Sequence, residues 1–136
     1  MSDRPRLLVA VPAAHERLKL VAALRDAFEV HALESGQDPV REARRLHPAL
    51  VLLAVPRGKQ GEALRACRAM KTDAGSVARV VLYDPHGRLS EPESALDASL
   101  ADGYLGDEAA LLEVAEAALR GEVLVREGPH KRGWWR

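Results

Sequence analysis

The sequence predicts an α/β domain built on a doubly wound parallel sheet of five strands, with helices on both faces. Three observations predict it. Short unbroken apolar runs such as Leu7-Leu-Val-Ala-Val11 and Ala49-Leu-Val-Leu-Leu-Ala-Val55 are what strands covered on both faces require. Between them lie segments whose apolar residues recur every three to four positions, the spacing of a helix with one buried face. The two patterns alternate about five times along the chain, as in layered βαβ architectures.

Each element has its own signal. Leu7 to Val11 is the first strand, and in the helix after it Leu20, Leu24 and Phe28 share one face, leaving Arg17, Lys19, Arg25 and Asp26 for solvent. Phe28-Glu-Val-His-Ala32 alternates apolar and polar residues, which suits a strand nearer the sheet edge. Asp38-Pro39 reads as an N-cap followed by proline at the first helical position, and Val40, Ala43 and Leu46 stripe a second helix that ends before Pro48. Ala49 to Val55 is the third strand. Leu64, Cys67 and Met70 mark a third helix, stopped by the polar stretch from Lys71 to Ser76. Val80-Val-Leu-Tyr83 is the fourth strand. Ser90 and Glu93 fit a capping box around Pro92, with Ala95, Leu96, Ser99 and Leu100 as the inner face of a fourth helix. Gly103-Tyr-Leu105 is a short fifth strand, and Glu108 to Arg120, holding Leu111, Leu112, Ala115 and Leu119, is the fifth helix. The flavodoxin-like strand order 2-1-3-4-5 is the natural arrangement at this length. After Gly121 the pattern stops, so residues 5–121 are expected to form the domain and residues 122–136 a C-terminal tail with basic and Trp residues.

Bulk properties bound the function. A chain of 136 residues is long enough for one domain with a proper core. Lys+Arg and Asp+Glu number 20 each, so no global field recruits nucleic acid or an anionic membrane, and direct nucleic-acid binding is not expected. The longest apolar run, Ala49 to Val55, is far too short to span a bilayer. Met1-Ser-Asp-Arg-Pro-Arg leads into the first strand without an apolar signal segment, which makes cytoplasmic residence the expectation. The single cysteine, Cys67, reads as a small buried hydrophobe. His15, His31 and His47 lack ligand spacing. Neither a metal nor a cofactor is expected.

Several segments, in order, resemble the receiver domain of two-component response regulators over roughly residues 5–121. Leu46-His-Pro-Ala-Leu-Val-Leu-Leu-Ala-Val55 is similar to the family's third strand, which ends in the phosphoacceptor Asp. Phe28-Glu-Val-His-Ala-Leu-Glu-Ser-Gly36 resembles the second strand and its turn, Ala101-Asp-Gly-Tyr-Leu105 the approach to the fifth strand, and Ala118-Leu-Arg-Gly-Glu122 the end of the last helix.

The resemblance implies a degenerate pseudo-receiver. Phosphotransfer needs a carboxylate nucleophile, and the family's phosphoacceptor falls on Ala54. The acidic pair that holds Mg²⁺ in the family matches Val11, Pro12 and Ala13, with Ala14 after them, and none is acidic. The nearest acid, Glu16, belongs to the first helix. The switch Ser/Thr aligns with Asp84, or with Tyr83 if the register slips. The Lys-Pro after the fifth strand is replaced by Gly106-Asp-Glu-Ala109. Tyr104 matches the family's switch aromatic and marks the partner face of helix 4, strand 5 and helix 5. The alternative is a tyrosine packed at the sheet edge.

Other candidates are weaker. Asp84-Pro-His86-Gly lies beyond a strand's carboxyl end, where His and Asp could act as acid and base, but its composition reads first as a turn. Arg57-Gly-Lys-Gln-Gly61 lacks the spacing of a P-loop, and Gly61 is read as opening the third helix. Arg41, Arg44 and Arg45 read as a solvated helix face. Arg126, Lys131, Arg132 and Arg136 make the tail basic, and Trp134 and Trp135 are the only tryptophans. They are candidates to dock on the domain, on a second subunit of a homodimer, or on a partner protein. Single-stranded nucleic acid is weakly supported.

The expected function is a phosphorylation-independent signalling adaptor, not an enzyme, which binds partner proteins through the helix 4–strand 5–helix 5 face or the tail. One alternative is a small ligand in the vacated pocket around Val11 to Ala14, Ala54 and Asp84. Another is an auxiliary transcription regulator working through a partner.

Overall fold

The computed structural model describes residues 4–73 and 75–128. Six strands form one sheet in the order β2-β1-β3-β4-β5-β6. They are β1 (Arg6–Ala10), β2 (Glu29–Ala32), β3 (Leu50–Ala54), β4 (Arg79–Tyr83), β5 (Gly103–Leu105) and β6 (Leu124–Arg126). All five pairings are parallel. The expected doubly wound, flavodoxin-like fold is present, with one correction: the sheet has six strands rather than five. The extra strand falls inside segment 122–136, which was expected to be a tail.

The helices are α1 (Ala14–Leu24), α2 (Pro39–Leu46), α3 (Gln60–Thr72), α4 (Pro92–Ser99) and α5 (Leu111–Leu119), the last entered through a 3-10 turn, Glu108–Ala110. Because side chains alternate across a strand, each strand feeds two cores. Leu7, Val9, Leu50, Leu52, Val81, Tyr83 and Leu105 pack against Leu20 and Leu24 of α1 and Val114, Ala115 and Ala118 of α5. Leu8, Ala10, Val51, Leu53, Val80, Leu82 and Tyr104 face α2, α3 and α4 through Leu46, Cys67, Met70 and Leu96. Burying both faces explains why β1, β3 and β4 read as unbroken apolar runs. Edge strand β2 is only half buried, consistent with its alternation.

Local signals fared differently. Asp38 caps α2, its Oδ1 accepting from the Val40 N–H at 3.1 Å with Pro39 behind it. Gly61 lies in the first turn of α3. The cap of α4 is not at Ser90. Helix α4 starts at Pro92 with Glu91 at the cap, because proline at the first helical position moves the start one residue downstream. Leu100, expected on the inner face, adopts a left-handed conformation at the helix end and is 41% exposed. Phe28 lies beyond α1, yet its ring is buried in the same core as Leu20 and Leu24.

Among the described residues no helix is long and apolar enough to cross a membrane.

Candidate functional site

In an open parallel sheet, ligand sites lie beyond the carboxyl ends of the strands. Here that edge carries Val11 and Pro12 after β1, Ala54 at the end of β3, Asp84 after β4, and Gly106 after β5. Ala54 pairs with Tyr83 in the sheet register and is half buried. Its methyl group has neither charge nor lone pair, so nothing at this position can attack phosphorus.

The stretch Val11-Pro-Ala-Ala14 offers no carboxylate, and the structure adds a basic group beside it. Arg17 Nη1 donates to the carbonyls of Val11 at 3.3 Å and Pro12 at 3.2 Å. Arg17 was expected in solvent, but the first turn of α1 places its stem under the β1–α1 turn, where two carbonyls lack strand partners. A guanidinium on these oxygens is the opposite of what Mg²⁺ needs, which is several hard anionic oxygens. The residues present do not fit that ion. Glu16, the nearest acid, hydrogen-bonds His86 at 2.9 Å. This contact ties α1 to the β4–α4 loop.

Asp84 and His86 therefore do not work together. Asp84 is 1% exposed, and its oxygens are taken. Its Oδ1 accepts the Arg88 N–H at 2.8 Å, and its Oδ2 accepts the Leu89 N–H at 2.9 Å and the Tyr104 hydroxyl at 2.7 Å. Arg88 in turn donates from Nη1 to the Val55 carbonyl at 2.9 Å. The turn composition of Asp84-Pro-His-Gly was legible in the sequence; its partner in β5 was not.

Tyr104 is fully buried. Of the two readings open for Tyr104, an interface aromatic and a packed one, its position fits the packed one: its ring lies in the core between β4 and the α3–α4 side, and its phenol is held inward by Asp84. Burial first, and the bond to Asp84 second, hold this phenol well above the usual tyrosine range. Strand β6 also covers the edge of β5. The N–H groups of Gly106 and Asp107 donate to the Arg126 carbonyl at 2.7 and 3.2 Å. Arg126 grips Glu113 of α5 with two bonds of 3.1 Å. The approach is close: a Cβ at Gly106 would lie 2.9 Å from the Gly128 nitrogen and 3.1 Å from both Arg126 O and a Tyr104 ring carbon. Trp134 and Trp135 lie outside the described residues.

On the opposite face Tyr83 mirrors Tyr104. Its hydroxyl donates to Glu108 at 2.9 Å, and Lys19 sits 3.6 Å from the same carboxylate. The sequence flagged neither Glu108 nor Arg88, since single charged residues in loops carry no pattern.

One cleft opens beside Ala54. It has a volume of about 370 Å³, with Ala10, Pro12, Leu53, Ala54 and Ala63 at its apolar wall and Glu34, Asp38 and Glu62 at its rim. Asp84 does not line it. The pocket expected around Val11 to Ala14, Ala54 and Asp84 is thus divided, its Asp84 part closed by Tyr104.

No family model matches the chain, and no curated protein matches it in sequence. Solved structures do. A two-component response regulator of the LuxR family from Aurantimonas sp. SI85-9A1 superposes with a TM-score of 0.74 at 22% identity, over 95% of this chain and 93% of that one. A DNA-binding response regulator of the LuxR family from Staphylococcus aureus gives 0.68 at 18% identity, over 86% and 98%. The isolated REC domain of RcsB from Salmonella enterica serovar Typhimurium gives 0.70 at 11% identity, over 91% and 94%. This likeness shows the fold: the chain has the architecture of a response-regulator receiver domain.

Proposed function

We propose that this chain is a phosphorylation-independent signalling adaptor: a pseudo-receiver in a two-component-type pathway that binds proteins and catalyses nothing. The observation that carries this reading is Ala54 at the carboxyl end of β3, where a receiver keeps its phosphoacceptor. Three further observations support it: the acid-free Val11-Pro-Ala turn, the guanidinium of Arg17 on its carbonyls, and the Asp84–Tyr104 bond that occupies both ends of the switch. A receiver relays phosphorylation by moving those two positions; here they hold each other. The surface offered to a partner is then a fixed one, flanked by β6 rather than by an exposed β5. Incubation with acetyl phosphate and Mg²⁺, followed by intact-mass spectrometry, tests the reading. No mass increase and no fluoroberyllate-induced spectral change are expected; a phosphorylated aspartate would sink it.

A second reading is favoured by the cleft beside Ala54, whose volume suits a small ligand. Thermal stabilisation by a nucleotide or metabolite, abolished by Ala54→Trp, would establish it in place of the adaptor.

A further inference from the structure

The cleft beside Ala54 exists because short side chains line it. Ala10 ends β1, Ala54 ends β3, and Ala63 and Ala66 are neighbours on one face of α3, with Pro12 and Pro56 completing the wall. Methyl groups and proline rings leave about 370 Å³ open, at the lower end of the range for small-molecule sites.

The charge of the cleft is one-sided. Glu34 in the β2–α2 loop, Asp38 at the cap of α2 and Glu62 in the first turn of α3 line it, and no Lys, Arg or His does. Among the described residues none of these three carboxylates enters an ion pair. Arg57 and Lys59, in the β3–α3 loop, are exposed and lie outside the lining. The N-termini of α2 and α3 adjoin the cleft, but each contributes only about half a positive charge, so roughly two negative charges remain. The loop that supplies Glu34 is already set: the Glu34 N–H donates to Gln37 Oε1 at 2.8 Å, and the Gln37 N–H donates to the Glu34 carbonyl at 3.1 Å. Binding need not first order it.

A phosphate or carboxylate would be repelled here, and a neutral ligand would leave the charges unused. What complements the cleft is an apolar body with a cationic head. An ammonium or guanidinium group only donates hydrogen bonds, and ionised carboxylates only accept them. We propose that the cleft beside Ala54 binds a small organic cation, an amine or guanidine on an apolar body, its head held by Glu34, Asp38 and Glu62 and its body by the alanine wall. This rests on the small-ligand reading of the cleft and narrows it, setting nucleotides and other anions aside.

Amide chemical shifts of the isotope-labelled protein, followed through titration with two sets of probes, test the assignment. The cations are phenethylamine, tryptamine and agmatine; the anions are hydrocinnamate and adenosine monophosphate. The cations should shift residues 34–38 and 62–66 saturably, and less tightly at high salt, while the anions should leave them unmoved. The pair Glu34→Gln/Glu62→Gln, at two exposed positions, should bind phenethylamine roughly tenfold more weakly with the rest of the spectrum unchanged. Ala66→Leu fills the cleft from a helix position that leucine suits, and should lose binding while far-UV circular dichroism stays the same. Cation binding undiminished in either variant would overturn the proposal. Anion binding at these amides without cation binding would overturn it too and leave the small-ligand reading standing. Silence from both sets would remove both.

Discussion

The hydroxyl of Tyr104 donates a 2.7 Å hydrogen bond to Oδ2 of Asp84, and both side chains are buried. One sits in β5 and the other directly after β4. The carboxylate also accepts two backbone N–H groups, from Arg88 and Leu89. It therefore organises the β4–α4 loop and fixes the aromatic at once.

Replacing Asp84 should test this. Asp84→Ala leaves two buried donors and one partly buried donor without their acceptor and is expected to cost about 3 kcal/mol, whereas Tyr104→Phe removes one bond and should cost about 1 kcal/mol. Urea denaturation of both single variants and the double would measure the coupling. A double variant whose loss equals the sum of the singles would show that the two side chains stabilise independently.

Gly106→Ala should loosen β6 while sparing the rest of the sheet. The added methyl would meet the Gly128 nitrogen and the Arg126 carbonyl, both backbone atoms, so the strand must shift. A loss of about 1–3 kcal/mol is expected from such overpacking. Amide exchange of the three residues of β6 should accelerate well before that of β4, read by mass spectrometry of peptic fragments.

The hold of β6 on α5 should weaken in acid. The hydrogen bond from Arg126 keeps the Glu113 carboxyl below the usual carboxylate range. A group whose pKa is lower in the folded state stabilises that state above its unfolded pKa, and the stabilisation fades as pH falls through the folded value. Exchange protection in β6 should therefore be full at neutral pH and decline below the ordinary glutamate range. Glu113→Gln should remove this dependence, and an unchanged acid profile would count against the pair.

Ala54→Asp should not restore phosphorylation. It supplies the nucleophile, but Val11, Pro12 and Ala13 still provide no carboxylate for a divalent ion, and Arg17 still occupies the carbonyls beside them. Acetyl phosphate with Mg²⁺ should leave the mass of this variant unchanged. A stoichiometric adduct would mean that Ala54 alone silences the site.

Cys67 should resist alkylation in the folded state. Burial pushes its thiol up to about 11, so almost no thiolate is present at neutral pH. Iodoacetamide should label it only after denaturant is added; rapid native labelling would indicate local opening of α3.

Much of this molecule was legible in the sequence, because the information is local. Strands covered on both faces must be apolar throughout, so Leu7 to Val11 and Ala49 to Val55 declared themselves, and Asp38-Pro39 marked the start of α2 by backbone chemistry that needs no distant partner. The identity of residue 54, and the lack of acids after β1, are likewise sequence facts. What only the tertiary structure decided lies between residues far apart in the chain. Strand β6 carries three half-exposed side chains and so has no periodicity to read; the edge of β5, the tight approach at Gly106 and the Arg126–Glu113 pair create it. Tyr104 could be placed on the fifth strand from its neighbours, but the direction of its hydroxyl depended on Asp84, twenty residues earlier. A hydrogen bond between two buried groups is set by where the sheet brings their backbones, and no local pattern encodes that distance.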